Sequence, residues 1–441
     1  MKPAVYIPAV YIIGGGPLAT SIPRWAREVG LVPVVTDKDP HAPGLLLAEE
    51  TLVADGAAVE AHVDFARGLA DRYRVVGVYC GGEFGLETAR RVAEELALDA
   101  IPAAALRASL DKAATKRIWQ EAGIPTPEGS VVASPGELRA VVDRGGAHIV
   151  KPTDGSGSRG VRVVDAESDL EAAFRACREA VGGTSDVLVE PFVEGRSIDA
   201  NGAFLGGRYV PCGILEKFQT PPPARLPIGG CDTVELPNGE SEAVHDLVER
   251  GARALGINTG PVKADLLRTR EGYVLLEVAP RFHGDVTTVN TLPYGAGINP
   301  VRLLFRWFAE RAVDESELLR GGEGYATWRV ICLPPGEVEH MPDPPPPGEH
   351  PRIAKVWHNR KVKGSIPRYE DTVQVPGYVA AWGSDRDEAE EALVAWFSSA
   401  GYRVRPDPEH ADWYRELGDR IERVGFTRTG SGWMEGNASA C

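Results

Sequence analysis

The sequence has few cysteines and a deficit of basic residues, and each shortage argues against a class of protein. Its 6 cysteines are scattered, without the paired spacing of a metal site and without the density of a disulfide framework. Reduced thiols in a cytoplasmic protein are therefore expected. Lysine and arginine total 48 against 63 acidic residues, and the resulting net charge of -15 would repel a phosphate backbone. We expect no nucleic-acid partner.

Long apolar runs are also absent. The run over residues 4–13 is too short to span a bilayer and leads directly into Gly14-Gly15-Gly16, which favours a buried strand over a signal peptide. No other stretch approaches the roughly 18 uninterrupted apolar residues of a membrane-spanning helix. A soluble protein without a membrane partner is expected.

The length of 441 residues predicts several domains, because a single core stops growing near roughly 250 to 300 residues. In residues 1–106, strand-like runs alternate with helical patterns, which predicts an α/β domain around a parallel sheet. Residues 107–320 have an α+β pattern, with a small glycine-rich lobe at about 125–193. Residues 321–441 form a smaller C-terminal module, and the proline-rich segment 333–351 is expected to be a rigid surface connection.

The N-terminal pattern has a weaker alternative interpretation. Gly14-Gly15-Gly16 after the first strand and Asp37 after the second resemble a dinucleotide-binding fold. The full G-x-G-x-x-G spacing is absent, however, so nicotinamide binding is only a minor alternative.

The strongest motif is a strand, loop and strand at residues 148–161, His-Ile-Val-Lys-Pro-Thr-Asp-Gly-Ser-Gly-Ser-Arg-Gly-Val. Glycines let backbone amides approach phosphate oxygens, and Lys151 adds a positive charge. No Gly-Lys-Ser/Thr opens a helix here, so this is not a Walker A loop. The motif predicts a nucleotide-phosphate site, and a flexible hairpin is the alternative. The loop residues concerned are Gly155, Ser156, Gly157, Ser158, Arg159 and Gly160.

Two further segments suggest a metal site. Residues 262–267 (Val-Lys-Ala-Asp-Leu-Leu) and 274–281 (Val-Leu-Leu-Glu-Val-Ala-Pro-Arg) predict neighbouring antiparallel strands that carry Asp265 and Glu277. Mg²⁺ prefers one or two carboxylates together with phosphate oxygens. Arg281 can stabilise the charge on a transferred phosphoryl group. A structural salt bridge among these three side chains is the alternative.

Together these motifs resemble the ATP-grasp enzymes over nearly the whole chain, in the branch that includes biotin carboxylase, the carbamoyl phosphate synthetase large chain and amino-acid ligases. The resemblance implies an ATP-grasp fold of mixed α/β and α+β structure. Its parts would be an N-terminal parallel-sheet domain, a central two-lobed ATP-binding domain and a smaller C-terminal module. It also implies ATP, one or two Mg²⁺ ions for which Mn²⁺ can substitute, and small-molecule substrates. It is compatible with a homodimer.

The segment before the glycine-rich loop matches the family pattern. Asp111-Lys112 ahead of a helix, followed by Gly-Ile-Pro-Thr-Pro at 123–127, resembles the segment whose lysine touches the nucleotide phosphates. Lys116, one turn later, is a second ATP-binding candidate. A lysine pair on a helix is more often a solvated face, so the resemblance carries this assignment. It implies catalytic roles for Lys112, Lys151 and Arg281.

Residues 189–195, Val-Glu-Pro-Phe-Val-Glu-Gly, resemble the hinge on which the adenine sits. In the family pattern, Glu190 would accept the adenine amino group, and the backbone near Phe192 and Val193 would read the ring edge. A strand end with a surface turn is the alternative. The glutamate that usually contacts the ribose is missing from 196–199, where Asp199 is the candidate.

Other departures and similarities concern the substrate side. The family commonly has an asparagine metal ligand where this chain has Ala279, so either Glu277 bridges two ions alone or Asp285 or water compensates. Residues 282–288 resemble the acceptor-side loop of amino-acid ligases, and Glu216-Lys217 resembles the strand end that faces the triphosphate. The substrate candidates are Glu216, Lys217, His283, Gly284 and Asp285.

The resemblance implies a carboxylate-amine ligase that forms an amide or peptide bond through an acyl phosphate and releases ADP and phosphate. An ATP-dependent carboxylase that activates bicarbonate is the first alternative. A nucleotide-binding protein without catalysis is the second, because Ala279 and the missing ribose glutamate depart from the family pattern.

Overall fold

The structure is a computed structural model. It describes residues 6–232, 236, 239–284, 286–295, 297–313, 315–318, 324–345, 349–359, 364–371, 374–423, 426–429 and 432–435. The α-helices are α1 Ile22–Glu28, α2 Val59–Gly68, α3 Leu86–Glu95, α4 Ala103–Leu110, α5 Lys112–Glu121, α6 Pro135–Val142, α7 Leu170–Glu179, α8 Glu240–Ala254, α9 Leu292–Gly295, α10 Pro300–Glu310, α11 Arg386–Ser399 and α12 Ala411–Glu422.

The strands in the first half of the chain are β1 Ile7–Ile13, β2 Val32–Asp37, β3 Glu50–Val53, β4 Tyr73–Cys80, β5 Ser130–Val132, β6 His148–Pro152, β7 Arg162–Val164, β8 Val187–Pro191, β9 Arg196–Leu205 and β10 Arg208–Gln219. The later strands are β11 Pro227–Asp232, β12 Gly260–Thr269, β13 Gly272–Ala279, β14 Tyr325–Val330, β15 Gly336–His340, β16 Ile353–His358, β17 Ser365–Ile366, β18 Gly377–Gly383, β19 Arg403–Pro406, β20 Phe426–Thr429 and β21 Gly432–Glu435.

The N-terminal domain contains the predicted parallel sheet, in the order β3-β2-β1-β4. Strand β1 is buried on both faces. Val10 and Ile12 pack into one apolar core, and Ala9, Tyr11 and Ile13 pack into another. Burial on both faces explains why this strand is a continuous apolar run without polar alternation.

The small lobe is a sheet in the order β5-β8-β6-β7 with α6 and α7 packed on it. The glycine-rich loop joins β6 to β7, as the sequence predicted. Gly160 has a φ of +71°, and a Cβ atom there would lie 2.9 Å from the Cys177 carbonyl oxygen of α7. Glycine therefore lets the end of the loop pack directly against the helix.

The large sheet has the order β13-β12-β9-β10-β11-β14-β18-β16. The predicted antiparallel pair is confirmed as β12 and β13, with Asp265 directly opposite Glu277. Strands β14, β16 and β18, from the segment predicted to be a separate C-terminal module, extend this sheet. The limits 1–106, 107–320 and 321–441 remain predictions. The expectation for 333–351 was wrong in part, because β15 lies inside this segment and pairs with β17 and β19.

Helix α5 begins as the sequence predicted. The Asp111 side chain caps the helix by accepting hydrogen bonds from the backbone amides of Ala113 and Ala114. Near the end of the helix, the buried Trp119 indole N–H donates to the Gly251 carbonyl of α8 at 2.9 Å. The end of α5 is thus fixed on the large lobe. In the part of the chain that the structure describes, no helix combines the length and apolar character needed to cross a membrane.

Candidate nucleotide and metal site

A cavity of about 400 Å³ separates the small lobe from the large sheet, and we call it the interlobe cavity. Most residues that the sequence singled out line it: Lys112, Lys151, Gly155, Ser156, Gly157, Ser158, Arg159, Glu190, Phe192, Val193, Asp199, Lys217, Asp265, Glu277, Arg281, His283 and Gly284. Lys116, Gly160 and Glu216 do not belong to this lining. Asp285 lies outside the described residues.

Lys112 connects the start of α5 to the glycine-rich loop. Its backbone amide donates to the Thr153 carbonyl at 2.7 Å, and its ammonium donates to the Gly155 carbonyl at 2.6 Å. The same ammonium lies 3.9 Å from the Glu277 carboxylate. Lys112 therefore places one positive charge between the loop and the carboxylates of the large sheet.

Glu190 lies between two lysines. Its Oε1 atom is 2.8 Å from the Lys116 ammonium, and its Oε2 atom is 2.5 Å from the Lys151 ammonium. Burial raises the pKa of Glu190, but the charges of Lys151 and Lys116 outweigh burial and lower it below the usual value. For Lys116, burial and the nearby charge of Lys151 lower the pKa to about 8. Glu190 thus positions both lysines, and its contact with adenine remains a prediction.

Asp265 and Glu277 share a third lysine, Lys263. Its ammonium is 2.7 Å from Glu277 Oε1 and 3.2 Å from Asp265 Oδ2. Burial raises the pKa of Glu277, but the charges of Lys263 and Lys112 outweigh it, and the pKa falls to about 2. Lys217 and Lys263 likewise hold the pKa of Asp265 well below its usual value despite burial. Both carboxylates are therefore ionised at neutral pH.

The sequence reasoning missed Lys263, although a signal was available. Alternate residues of a strand point to the same face, so a lysine two positions before Asp265 had to project beside it. The ion pairs raise the pKa of Lys263 above its usual value although burial lowers it. Lys263 is thus a charged member of the site.

Asp199 and His283 extend the polar cluster. Asp199 lies opposite Asp265 in the strand register. The His283 Nε2 atom is 3.0 Å from Asp265 Oδ1 and 3.1 Å from Asp199 Oδ2, while Lys217 is 2.8 Å from Asp199 Oδ2. The ligand atoms of Asp199, Asp265 and His283 all lie within 4.8 Å of one another. Asp199 is therefore beside the carboxylate pair, and its ribose contact remains a prediction.

His283 is oriented from its other side by Asn201. The Asn201 side-chain oxygen accepts a hydrogen bond from the His283 backbone amide at 2.9 Å and lies 3.2 Å from Nδ1. Asn201 was not among the predicted site residues. It stands two residues after Asp199 on β9, so the period of a strand again explains its place.

Arg281 is held by a residue from the N-terminal domain. One of its guanidinium nitrogens donates to Glu83 Oε1 at 2.7 Å, and another donates to the Phe282 carbonyl at 2.9 Å. Burial lowers the pKa of Arg281, but the charge of Glu83 outweighs it and raises the pKa above its usual value. The two residues are 198 positions apart, and no local pattern pointed to Glu83.

Glu216 has a different environment from its predicted neighbours. It accepts two hydrogen bonds from the Arg196 guanidinium, both at 2.7 Å. Lys217, the next residue along β10, faces the cavity as expected for the opposite face of a strand. Glu216 thus links β10 to the start of β9, while Lys217 contributes its charge to the cavity.

Comparison with known proteins is consistent with this geometry. Residues 146–289 match the family model of the ATP-grasp domain. An uncharacterized protein y4rH from Sinorhizobium fredii is 28% identical over 268 residues, covering 59% of this chain and 55% of that protein. D-alanine–D-alanine ligase from Pseudomonas putida is 31% identical over 183 residues, covering 38% of this chain and 54% of the ligase. The chain thus aligns with only about half the length of each.

A solved structure extends the likeness beyond the matched domain. The L-amino acid ligase from Bacillus licheniformis superimposes with a TM-score of 0.70 and 20% identity, covering 95% of this chain and 98% of that ligase. At this identity the likeness concerns the fold. The chain contains an ATP-grasp domain, and its fold is the ATP-grasp fold with an N-terminal parallel-sheet domain.

Proposed function

We propose that this ATP-grasp chain is a carboxylate-amine ligase, which uses ATP to convert a carboxylate into an acyl phosphate and then joins it to an amine. The observation that carries the proposal is the composition of the interlobe cavity. It combines the glycine-rich loop, Lys112 and Lys151 with the ionised pair Asp265 and Glu277 and the charged Arg281. Catalysis of phosphoryl transfer consists mainly of positioning and charge stabilisation, and these groups supply both.

The phosphates of ATP would lie at the glycine-rich loop. Lys112 and Lys151 reach this region from α5 and β6 and offer charges to the phosphate oxygens. Lys151 is oriented by Glu190, so little conformational entropy remains to be lost when the nucleotide binds. Closure of the loop over the nucleotide would exclude water, which protects an acyl phosphate from hydrolysis.

The carboxylate pair fits Mg²⁺. Asp265 and Glu277 are both ionised, both line the cavity, and their oxygens are the ligands that this hard cation prefers. When bound, Mg²⁺ neutralises charge on the transferring phosphate. Where the family commonly has asparagine, Ala279 offers no ligand, and among the described residues Asp199 and His283 have ligand atoms within 4.8 Å of that of Asp265.

The reaction would proceed in two steps at Arg281. A carboxylate oxygen of the substrate attacks the γ-phosphorus, and the bond between that phosphorus and ADP breaks. Arg281, held by Glu83, stabilises the charge on the transferred group. The nitrogen of the amine then attacks the acyl carbon, the carbon–oxygen bond to phosphate breaks, and the nitrogen loses a proton. The products are an amide, ADP and phosphate.

The test is phosphate release from Mg²⁺-ATP across a matrix of amino acids, small carboxylates, amines and bicarbonate, with mass spectrometry of each positive mixture. We expect release that requires a carboxylate and an amine together, with a product mass equal to their sum less water. Release driven by bicarbonate alone would replace the proposal with a carboxylase. ATP binding without release in any mixture would favour a nucleotide-binding protein.

Two variants make the test specific to the site. Glu277→Gln removes a charge of the carboxylate pair and should abolish release. Lys355→Met removes a partly buried lysine of β16, which is not among the residues lining the cavity, and should release phosphate at the wild-type rate. Equal activity in Glu277→Gln and wild type would contradict the assignment.

A further inference from the structure

The glycine-rich loop, residues 153–161 between β6 and β7, is held at both of its ends. At the start, the backbone amide and the ammonium of Lys112 donate to the carbonyls of Thr153 and Gly155. At the end, the loop continues into β7, which is an edge strand of the small-lobe sheet. An edge strand has backbone groups that can pair with another segment. In this protein they pair with a segment from outside the small lobe.

That segment is the loop between β10 and β11, residues 220–226, and we call it the strap. The backbone amide of Val163 on β7 donates to the Pro223 carbonyl of the strap at 2.8 Å, and Arg162 forms an isolated antiparallel bridge with the same segment. The strap is fixed in turn by Arg420 of α12, whose guanidinium donates to two of its backbone carbonyls. The small lobe is thus connected to α12 through the strap.

The side chain of Arg162 has a second partner in the C-terminal part of the chain. Its guanidinium donates to Glu370 Oε2, 208 positions away, and we call this ion pair the latch. Glu370 follows Tyr369, whose buried ring belongs to the same apolar core as residues of β14, β16 and β18. The Tyr369 hydroxyl also donates to the Leu333 carbonyl at 3.0 Å. A fixed segment therefore presents Glu370 to the first residue of β7.

The conformation of the loop explains why it needs such a contact. Ser158 has a φ of +60°, and a residue other than glycine keeps this left-handed conformation only where the surrounding structure fixes it. Ser158 and Val161 line the interlobe cavity and also a further cavity of about 410 Å³, which both residues of the latch line as well. Because the loop has open space on this side too, its position depends on the contacts at its ends.

We propose that Glu370 is a positioning residue of the nucleotide site, which holds the glycine-rich loop in its phosphate-binding position through the ion pair with Arg162. The inference rests on the nucleotide site of the proposed function and adds a residue that acts from outside it. Among the described residues, neither Arg162 nor Glu370 belongs to the lining of the interlobe cavity. Both therefore act on ATP through the loop.

The latch should affect the binding of ATP more than its turnover. Without the latch, the arrangement of the loop that binds ATP is populated less, and the apparent dissociation constant rises by the inverse of the populated fraction. Saturating ATP holds the loop itself, so kcat should stay nearly constant. The two side chains of the latch are 29% and 24% exposed, so we expect an effect of about tenfold, the lower end for a charge-assisted hydrogen bond.

The binding experiment uses the full chain with Mg²⁺ and adenylyl imidodiphosphate, an ATP analogue that is not hydrolysed, measured by calorimetry. We expect the dissociation constant to rise about tenfold in Glu370→Gln, in Arg162→Met and also in the double variant, because all three lose one and the same contact. An unchanged dissociation constant in both single variants, or a rise of about a hundredfold in the double variant, would overturn the inference.

Glu388 provides a matched control. It pairs with Arg352 in the same C-terminal part of the chain, and the two side chains are 33% and 36% exposed. Glu388→Gln should leave the dissociation constant unchanged, and a rise equal to that of Glu370→Gln would reduce the latch to a general effect on this part. With the substrates found in the matrix screen, Glu370→Gln should raise KM for ATP about tenfold and change kcat less than twofold. A lower kcat with an unchanged KM would contradict positioning through the loop.

Proteolysis tests the latch without any substrate. Trypsin cleaves after arginine, and Arg159 is a partly exposed residue of the loop. Without nucleotide, we expect cleavage between Arg159 and Gly160, followed by mass spectrometry, to be at least tenfold faster in Glu370→Gln than in wild type and Glu388→Gln. Equal rates in wild type and Glu370→Gln would overturn the inference. If the ATP analogue does not bind wild type, the proposed nucleotide site is rejected, and the cleavage rates still decide whether Glu370 holds the loop.

Discussion

Replacing Lys263 with methionine should make the stability of the protein depend on Mg²⁺. Methionine has a similar length and lacks the charge, so Asp265 and Glu277 lose the ammonium that lies 2.7 Å from one and 3.2 Å from the other. Removing one partner of a buried ion pair costs roughly 3 to 5 kcal/mol. Because both carboxylate side chains keep about a quarter of their surface exposed, at 24% and 23%, we expect a loss of about 3 kcal/mol.

A divalent cation can replace the missing charge. A ligand that binds only the folded state at one hundred times its dissociation constant adds about 2.7 kcal/mol, which is close to the expected loss. Saturating Mg²⁺ should therefore restore most of the stability of Lys263→Met. Mg²⁺ should stabilise wild type less than it stabilises Lys263→Met, because Lys263 already neutralises the same carboxylates in wild type.

The assay is urea unfolding followed by tryptophan fluorescence, with and without Mg²⁺ and without nucleotide. Lys355→Met serves as the control, since its lysine lies on β16 and is not among the residues lining the cavity, and its response to Mg²⁺ should equal that of wild type. Equal responses of wild type and Lys263→Met would refute the idea that lysine and ion share these carboxylates. If Lys263→Met is as stable as wild type when Mg²⁺ is absent, the loss of stability that we assign to Asp265 and Glu277 without their lysine is refuted.

Three other predictions address the proposed phosphate site, the orientation of Arg281 and a buried histidine. Lys151→Ala should lower turnover about a hundredfold or more, because a positioned charge is lost, while circular dichroism stays that of wild type; near-normal phosphate release would contradict the assignment. Glu83→Gln should lower kcat about tenfold with little change in KM for ATP, since it removes the charge-assisted bond that orients Arg281; steady-state kinetics that show a changed KM alone would point to binding instead. Burial lowers the pKa of His245 from 6.5 to about 4, so this side chain binds a proton more weakly in the folded protein than in the unfolded one. The free energy of unfolding should therefore fall by up to about 3 kcal/mol as the pH drops from 6.5 to 4. Burial lowers the pKa of His358 to about 4 as well, so His245→Gln should reduce the acid-induced loss measured by urea unfolding without abolishing it, whereas His41→Gln, at an exposed position, should leave the loss unchanged.

The sequence predicted the elements that depend on residues close together in the chain. The cap of α5 by Asp111 and the antiparallel pair β12 and β13 follow from residues close together in sequence, and the structure confirms both. The joining of β14 to β11 depends on contacts between distant segments. Such pairing is decided by tertiary packing and leaves no periodic signal in either strand, so the extent of the large sheet could not be predicted.

The candidate site shows the same division. The glycine-rich loop and the carboxylate pair were predicted because their chemistry needs specific residues at short spacing, and the structure places them around one cavity. Lys263 and Asn201 could have been found from the two-residue period of their strands. Glu83 could not, because its contact with Arg281 joins two domains and depends on how they pack. The two ion pairs of Glu190, with Lys116 and with Lys151, likewise could not be predicted from the sequence.

The bond between Glu83 and Arg281 has a consequence for any exchange of parts between related enzymes. Residues 146–289 match the family domain, yet the group that orients their arginine comes from before residue 106. A chimaera that joins this domain to a foreign N-terminal domain would therefore lack the carboxylate that orients the Arg281 guanidinium. The N-terminal domain and the ATP-grasp domain of this protein should therefore be exchanged together, so that the contact between Glu83 and Arg281 is kept.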